Sequence, residues 1–294
     1  MTNGITTAIA APPSDITKRS LPASVAIHTL LILGSLLMLY PLLWMVSASV
    51  RPENEIFSST SLIPSSIDFS SYLRGWTGLD ITFGRFFWNS LVISVLTVIG
   101  NVVACSLAAY AFARLHFAGR NFWFAIMLGT LMIPYHVTLI PQYVLFLNLG
   151  WVNTILPLVV PKFLASDAFF IFLMVQFFRG IPRELDEAAM MDGCSPWRIY
   201  WKIMLPLSLP VLATAAIFSF IWTWDDFFGP LIYLNDMNTY TIQLGLRTFD
   251  DSTSASDWGG LFAMSTLTLV PVFFFFLFFQ RLLIEGIATT GMKR

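Results

Sequence analysis

Long stretches without a single charged side chain alternate along this sequence with short clusters that hold almost all of the charge. The charge-free runs are residues 21–50, 86–113, 121–161, 203–224 and 258–280. A helix that crosses a bilayer needs about 20 predominantly apolar residues, and each run is long enough. The third is too long for one crossing and continues past Lys162 to residue 178. Splitting it around Asn148 and Asn153 gives six spans, 22–48, 87–113, 122–146, 154–178, 207–231 and 260–284. Spans two to five contain breakers: Gly100 with Asn101, then Gly129, Pro134 and Pro141, then Pro157 and Pro161, then Pro210. A proline inside a span frees backbone groups that protein, water or polar side chains must satisfy. The breakers therefore predict a bundle bent around a pathway, or else the ordinary Gly and Pro content of membrane helices.

Composition narrows the class. Hydrophobic residues make up 56% of the 294 residues and charged residues 11%, with a mean hydropathy of +0.74. A soluble domain carries charge on about a quarter of its residues. The expectation is an all-α polytopic membrane protein with six transmembrane helices. The net charge of −1 says little, but its distribution says much. With the N-terminus inside, the inner segments hold eleven Lys and Arg, among them Arg114, Arg120, Arg183 and Arg198. The outer segments hold four, Arg51, Arg74, Arg85 and Arg247. That asymmetry follows the positive-inside rule and predicts cytoplasmic N- and C-termini. Residues 21–50 are too long for a signal-peptide core, so they stay as a span. Cys105 and Cys194 lie at different depths, and His28, His116 and His136 are scattered, so neither a disulfide framework nor a metal site is expected.

The chain divides into a cytoplasmic tail (1–20), a first helix with an external loop (21–86), a five-helix transmembrane core (87–284) and a cytoplasmic C-terminal tail (285–294). Within the core, residues 181–206 read IPRELDEAAMMDGCSPWRIYWKIMLP. This is the grammar of two short helices. Pro182 suits a first helical position, and Glu184, Asp186 and Glu187 suit the positive end of the helix dipole. Gly193 suits a left-handed closing residue. Ser195 and Pro196 then restart a helix, which is expected over 197–204 and to end before Pro206. Ala188 and Ala189 leave one helix side bare, suited to a groove on a partner. Trp197, Tyr200 and Trp201 read as an interfacial aromatic belt, with Arg198 and Lys202 facing lipid headgroups or a partner.

The letters Glu187, Ala188, Ala189, Gly193, Ile203, Leu205 and Pro206 stand in the order and spacing of the EAA loop of bacterial ABC importer permeases, which this segment resembles. Residues 131–157 and 219–234 resemble the carbohydrate-importer branch, the family of the maltose permease's smaller membrane subunit. The resemblance runs from about residue 86 to the C-terminus. It implies a type I ABC importer permease fold in the bacterial inner membrane and translocation of a sugar or oligosaccharide. It implies as partners a second related permease subunit, two ATPase subunits, an external solute-binding protein and membrane lipid, with no nucleic acid. It makes Glu187, Ala188, Ala189, Met190, Met191, Asp192 and Gly193 the ATPase-coupling residues. The loaded binding protein would meet the outer loops 49–86 and 235–257, and the tail 285–294 would reach the ATPase dimer or fray.

The sequence has no G-x-x-x-x-G-K-[ST], and no Gly-Lys pair at all, so it lacks the loop that cradles nucleotide phosphates. No cofactor is expected on this chain; ATP and Mg belong to partner subunits. For the substrate pathway the candidates are Trp222, Trp224, Asp225 and Asp226 in WTWDDFF, with Asp167 and Asn89. Rings flanking carboxylates suit a sugar, because rings stack on C–H faces and carboxylates accept from hydroxyls. Interfacial anchoring explains the same letters. The resembling family usually has Asn at the place of Asp225. Lys162 and Asp167 stand five apart, about 140° around a helix, and are not expected to face each other. Three other readings stay open. An ion-coupled secondary transporter would use Asp167, Asp225 and Asp226. A non-transporting scaffold needs none of them. An importer of a polyol or glycerol phosphate keeps the architecture and changes the cargo.

Overall fold

The computed structural model describes residues 21–58, 61–249 and 257–291, with side chains from 22 to 281. The expected tail 1–20, part of the loop 235–257 and residues 292–294 lie outside the described residues, as do the side chains of 285–291. In chain order the α-helices are α1 (Leu21–Ser49), α2 (Ser70–Thr77), α3 (Phe83–Arg114), α4 (Arg120–Thr130), α5 (Tyr135–Asn148), α6 (Leu156–Val159), α7 (Ala168–Gly180), α8 (Glu184–Met191), α9 (Pro196–Ile199), α10 (Leu205–Leu207), α11 (Leu209–Trp224), α12 (Phe228–Tyr233), α13 (Ile242–Arg247) and α14 (Trp258–Gly291). No strand occurs among the described residues.

Four segments are long and apolar enough to cross a bilayer: Pro22–Ser49, Phe83–Arg114, Leu156–Gly180 and Trp258–Arg281. Two more qualify as bent pairs, α4 with α5 at 98° and α9–α10 with α11 at 77°. The bends fall at two of the sequence's breakers. Pro134 precedes α5, where an N–H would have no intrahelical partner. Pro210 occupies the first turn of α11. The expected fifth span, 207–231, is interrupted: α11 stops at Trp224 and α12 starts at Phe228. The last helix runs on to Gly291, past the expected end at 284.

α3 is the shaft around which the rest is arranged. Its buried stripe is Ser90, Ser94, Thr97, Asn101, Cys105 and Ala109, one residue every three or four positions. Small side chains at that spacing let neighbouring backbones approach, the usual basis of helix association in membranes. α7 and α11 lie along this stripe. At mid-helix the Asn101 amide donates to the Ser219 hydroxyl of α11 at 2.9 Å, wholly buried. Gly100 faces residues 160–164, where a Cβ would come within 2.8 Å of the Phe163 ring.

Two apolar cores sit at opposite ends of α3. One joins Cys105, Ala109 and Tyr110 to Phe170, Met174 and Phe178 of α7 and to Tyr200, Met204 and Ala215. The other joins Phe83 and Phe86 to Phe220 and Trp224 of α11, Ile242 of α13 and Met264 of α14. The Phe220 and Phe275 rings stack with centroids 4.2 Å apart. α1 is exposed along most of its length and meets the bundle near its C-terminal end, where Trp44 packs edge-on against Phe262 at 5.4 Å.

In α13, Gly245 packs so closely on Phe86 that a Cβ would overlap the ring. Gly245→Ala should cost ~1–3 kcal/mol through overpacking. A lowered thermal midpoint of the detergent-purified chain is the expected outcome, and an unchanged midpoint would contradict this packing.

Candidate functional site

The segment between α7 and α11 presents one short helix to its surroundings and ties it down from behind. α8 begins at Glu184, so Pro182 stands before the helix and not in its first turn. Gly193 closes it with φ of +77°, as its sequence position predicts, and open space surrounds it. Ser195 Oγ accepts the Arg198 backbone N–H at 3.3 Å and starts α9, with Pro196 in the first turn. The second helix does not end before Pro206. Residues Tyr200–Met204 widen to π-helical pairing, and α10 carries the chain to Leu207. Pro206 has no N–H for the carbonyl four residues back, and its ring collides with that carbonyl. One wide turn relieves both faults and lets the helix pass the proline.

On α8 and in the turn that closes it, Glu187, Ala188, Met190, Met191, Asp192 and Gly193 are exposed, Met191 at 90%. Ala189 points inward and is buried, so Ala188 and Ala189 do not form one bare face. Asp186 is also turned inward. Its Oδ2 lies 3.2 Å from Arg114 Nη1, with the two side chains 13% and 4% exposed. Arg114 Nη2 donates to the carbonyls of Phe178 and Ile181, both at 2.7 Å. One guanidinium therefore fixes the end of α3, the end of α7 and the buried side of α8. Tyr110 Oη donates to the Pro196 carbonyl at 3.0 Å, and Tyr200 Oη is 2.8 Å from Ser106 Oγ. Tyr200 is a core residue and no part of an interfacial belt; Trp197 and Trp201 remain exposed. Tyr110, Arg114, Asp186 and Glu187 line a cleft of about 220 Å³ between α3 and α8. Sequence reasoning assigned Asp186 to the helix dipole and Arg114 to inner-face charge. The available signal was an Arg closing a 28-residue apolar run, which burial obliges to find a partner.

The candidate pathway residues do not form one cluster. Trp224 is 1% exposed, with its Nε1 donating to the Thr268 carbonyl at 3.1 Å, so it belongs to the core. Trp222 is 52% exposed and packs beside Phe169 and Phe170, centroids 5.4 Å away in each case. Asp225 is exposed in the break after α11. Asp226 Oδ1 accepts the Gly229 backbone N–H at 3.2 Å, which starts α12. Asp167 is bound to Lys162, whose Nζ lies 2.9 and 3.0 Å from its carboxylate oxygens. The 140° separation does not apply, because no continuous helix joins them. Residues Val160–Leu164 are 3-10 helical and Ala165 turns left-handed at φ +53°.

Asn89 is a clamp. Its Nδ2 donates to the carbonyls of Asn238 and Tyr240, both at 2.9 Å, and next to it Ser90 Oγ accepts the Ile242 N–H at 2.8 Å. Asn153 holds the same loop from the other side: its Oδ1 accepts the N–H groups of Asn235 and Asp236 at 3.0 and 2.9 Å. The Asn238 N–H keeps the exposed Asp236 carboxyl below its ordinary pKa.

A family of proteins described as the binding-protein-dependent transport system inner membrane component matches residues 100–289, more than half of the chain. The chain belongs to this family. It is 35% identical to the arabinooligosaccharides transport system permease protein AraQ of Halalkalibacterium halodurans, over 86% of this chain and 91% of that one. It is 32% identical to the diacetylchitobiose uptake system permease protein NgcG of Streptomyces coelicolor, over 91% and 88%. A chain of a bacterial ABC transporter involved in import of the acidic polysaccharide alginate shares the fold, with a TM-score of 0.79 at 24% identity, covering 88% of this chain and 95% of that one. The protein is thus a multi-pass, all-helical inner-membrane transport component with the fold of an ABC importer's membrane chain.

Family membership does not explain why α8 is held so firmly. Removing one partner of a buried ion pair costs ~3–5 kcal/mol, because the other charge is stranded. Arg114→Met should therefore lower the thermal midpoint sharply. Arg114→Met/Asp186→Leu should recover part of the loss, and a double variant worse than the single would contradict the pairing.

Proposed function

We propose that this chain is one of two related permease subunits of an ATP-driven importer, moving a sugar or oligosaccharide delivered by an external solute-binding protein. α8 is its docking element for an ATPase subunit, which places that end of the bundle and both termini in the cytoplasm. The observation that carries this reading is the division of α8 into two sides. Glu187, Met190 and Met191 are free for a partner, while Asp186 is bound to Arg114. An exposed face can be gripped, and a buried charge-assisted contact behind it passes the displacement into the membrane helices. Glu187 is the acidic group placed to pair with a basic residue on the ATPase, and the two methionines supply adaptable apolar contact. ATP and Mg are bound by the ATPase subunits. The likeness in sequence to permeases named for diacetylchitobiose and arabinooligosaccharides supports a neutral sugar as cargo.

Alternating access follows from this arrangement. Closure of an ATPase dimer moves two docked α8 helices, one from each permease, and the bundles rock as rigid bodies. Trp222 and Asp225, both exposed, are the candidate pathway contacts for sugar C–H faces and hydroxyls. Asp167, Asn89 and Trp224 are committed to structural contacts within this chain. An ion-coupled mechanism through Asp167 is disfavoured by its pairing with Lys162.

Reconstituted with its partner subunits in liposomes, the chain should support uptake of diacetylchitobiose or an arabinooligosaccharide only with ATP available to the ATPase. A proton ionophore should leave that uptake unchanged, whereas uptake without ATP would reinstate the ion-coupled reading. Glu187→Ala removes an exposed carboxylate that makes no ion pair or side-chain hydrogen bond among the described residues. It should cut binding-protein-stimulated ATP hydrolysis about tenfold, the scale of one good interfacial contact, while the isolated ATPase subunits stay active.

A further inference from the structure

Among the described residues, α3 is the one membrane-crossing helix with neither an internal proline nor a break. α1 and α14 contain Pro41 and Pro271, two other spans bend by 98° and 77°, and Leu156–Gly180 is interrupted at Ala165. α3 is also the helix gripped by polar contacts at both ends. At one end Arg114 holds α8 through Asp186 at 3.2 Å. At the other, Arg85 Nε donates to the Asn238 carbonyl at 3.2 Å, Asn89 donates to Asn238 and Tyr240, and Ser90 accepts from Ile242. These contacts pin segment 238–242, which leads from a 3-10 turn at Met237–Thr239 into the first residue of α13, and through it α13 itself. Twenty-five residues separate Asn89 from Arg114, about 37 Å of helix.

We propose that α3 is a rigid strut that carries a displacement of α8 to segment 238–242 at the opposite face, with Arg114 and Asn89 as the positioning residues at its ends. The proposal rests on α8 being the ATPase-docking element. Prolines and breaks let a helix flex and absorb a local movement. An uninterrupted helix packed by small residues on both neighbours passes the movement along its axis. Asn101, bonded to Ser219 near the midpoint, keeps α11 moving with it. Linkage then makes the coupling reciprocal: whatever engages segment 238–242 biases nucleotide closure by the same factor that closure biases its engagement.

The test uses the full complex with its ATPase subunits in liposomes and needs no knowledge of the sugar. Backbone hydrogen exchange of residues 237–242 is measured with and without a non-hydrolysable ATP analogue. In the natural sequence the analogue should change that exchange. Asp186→Asn removes the charge from the contact between α8 and α3, reducing an ion pair to a neutral hydrogen bond, and leaves Arg114 its two carbonyl contacts. Ile99→Pro breaks the strut at a residue that is 46% exposed, and Ile99→Ala is its control. Asp186→Asn and Ile99→Pro should each shrink the distant response by about fivefold or more, the lower edge of usual coupling between sites; Ile99→Ala should preserve it. Should Ile99→Pro fail to assemble, Asp186→Asn decides the matter by itself. A response that survives in the assembled variants overturns the strut alone, as does a natural complex with no response. A chain that copurifies with no ATPase subunit overturns the importer reading and the strut with it.

Discussion

The buried contact between Arg114 and Asp186 is the interaction on which the arrangement of this chain depends. A guanidinium at the end of an apolar helix cannot be left unpaired without a large desolvation cost. Its partners come from three places in the sequence: a carboxylate on α8 and two carbonyls at the end of α7. Satisfying one charge therefore determines where α7 ends, which way α8 is turned and which of its residues face outward. Asp186 and Ala189 go in; Glu187, Met190 and Met191 go out.

The rest of the bundle follows a second constraint, that α3 must be approached closely on two sides. Its small residues let α7 and α11 lie against it, while large apolar side chains gather into separate cores at its two ends. Irregular backbone is collected elsewhere, at 131–134, 165–167, 208 and 225–227. Two of these breaks have a local polar remedy: the Lys162–Asp167 ion pair spans one, and Asp226 caps the helix after another. Straight and broken helices thus divide the labour in this fold, one transmitting and the others yielding.

Sequence alone located the crossings because length and hydrophobicity decide them, and those are one-dimensional quantities. It also located the turn at Gly193, since only glycine adopts φ of +77° without strain, and the cap at Ser195. The bends at Pro134 and Pro210 were visible as breakers, although their angles were not. The loop 181–206 was legible as two short helices because its glycine, its capping serine and its first-turn proline stand in a fixed order.

What the tertiary structure decided is which polar and aromatic residues are already committed to one another. Trp222 and Trp224 are two positions apart and chemically alike, yet one is exposed and the other holds Thr268 in the core. Tyr200 reads like its neighbours Trp197 and Trp201 but reaches Ser106 on another helix. Lys162 and Asp167 meet only because the helix between them breaks. Asn89 clamps a loop about 150 residues away along the chain. Each of these depends on a partner far off in sequence or on a local departure from helical geometry. Periodicity cannot register either, because it assumes a regular element and knows only its own neighbours.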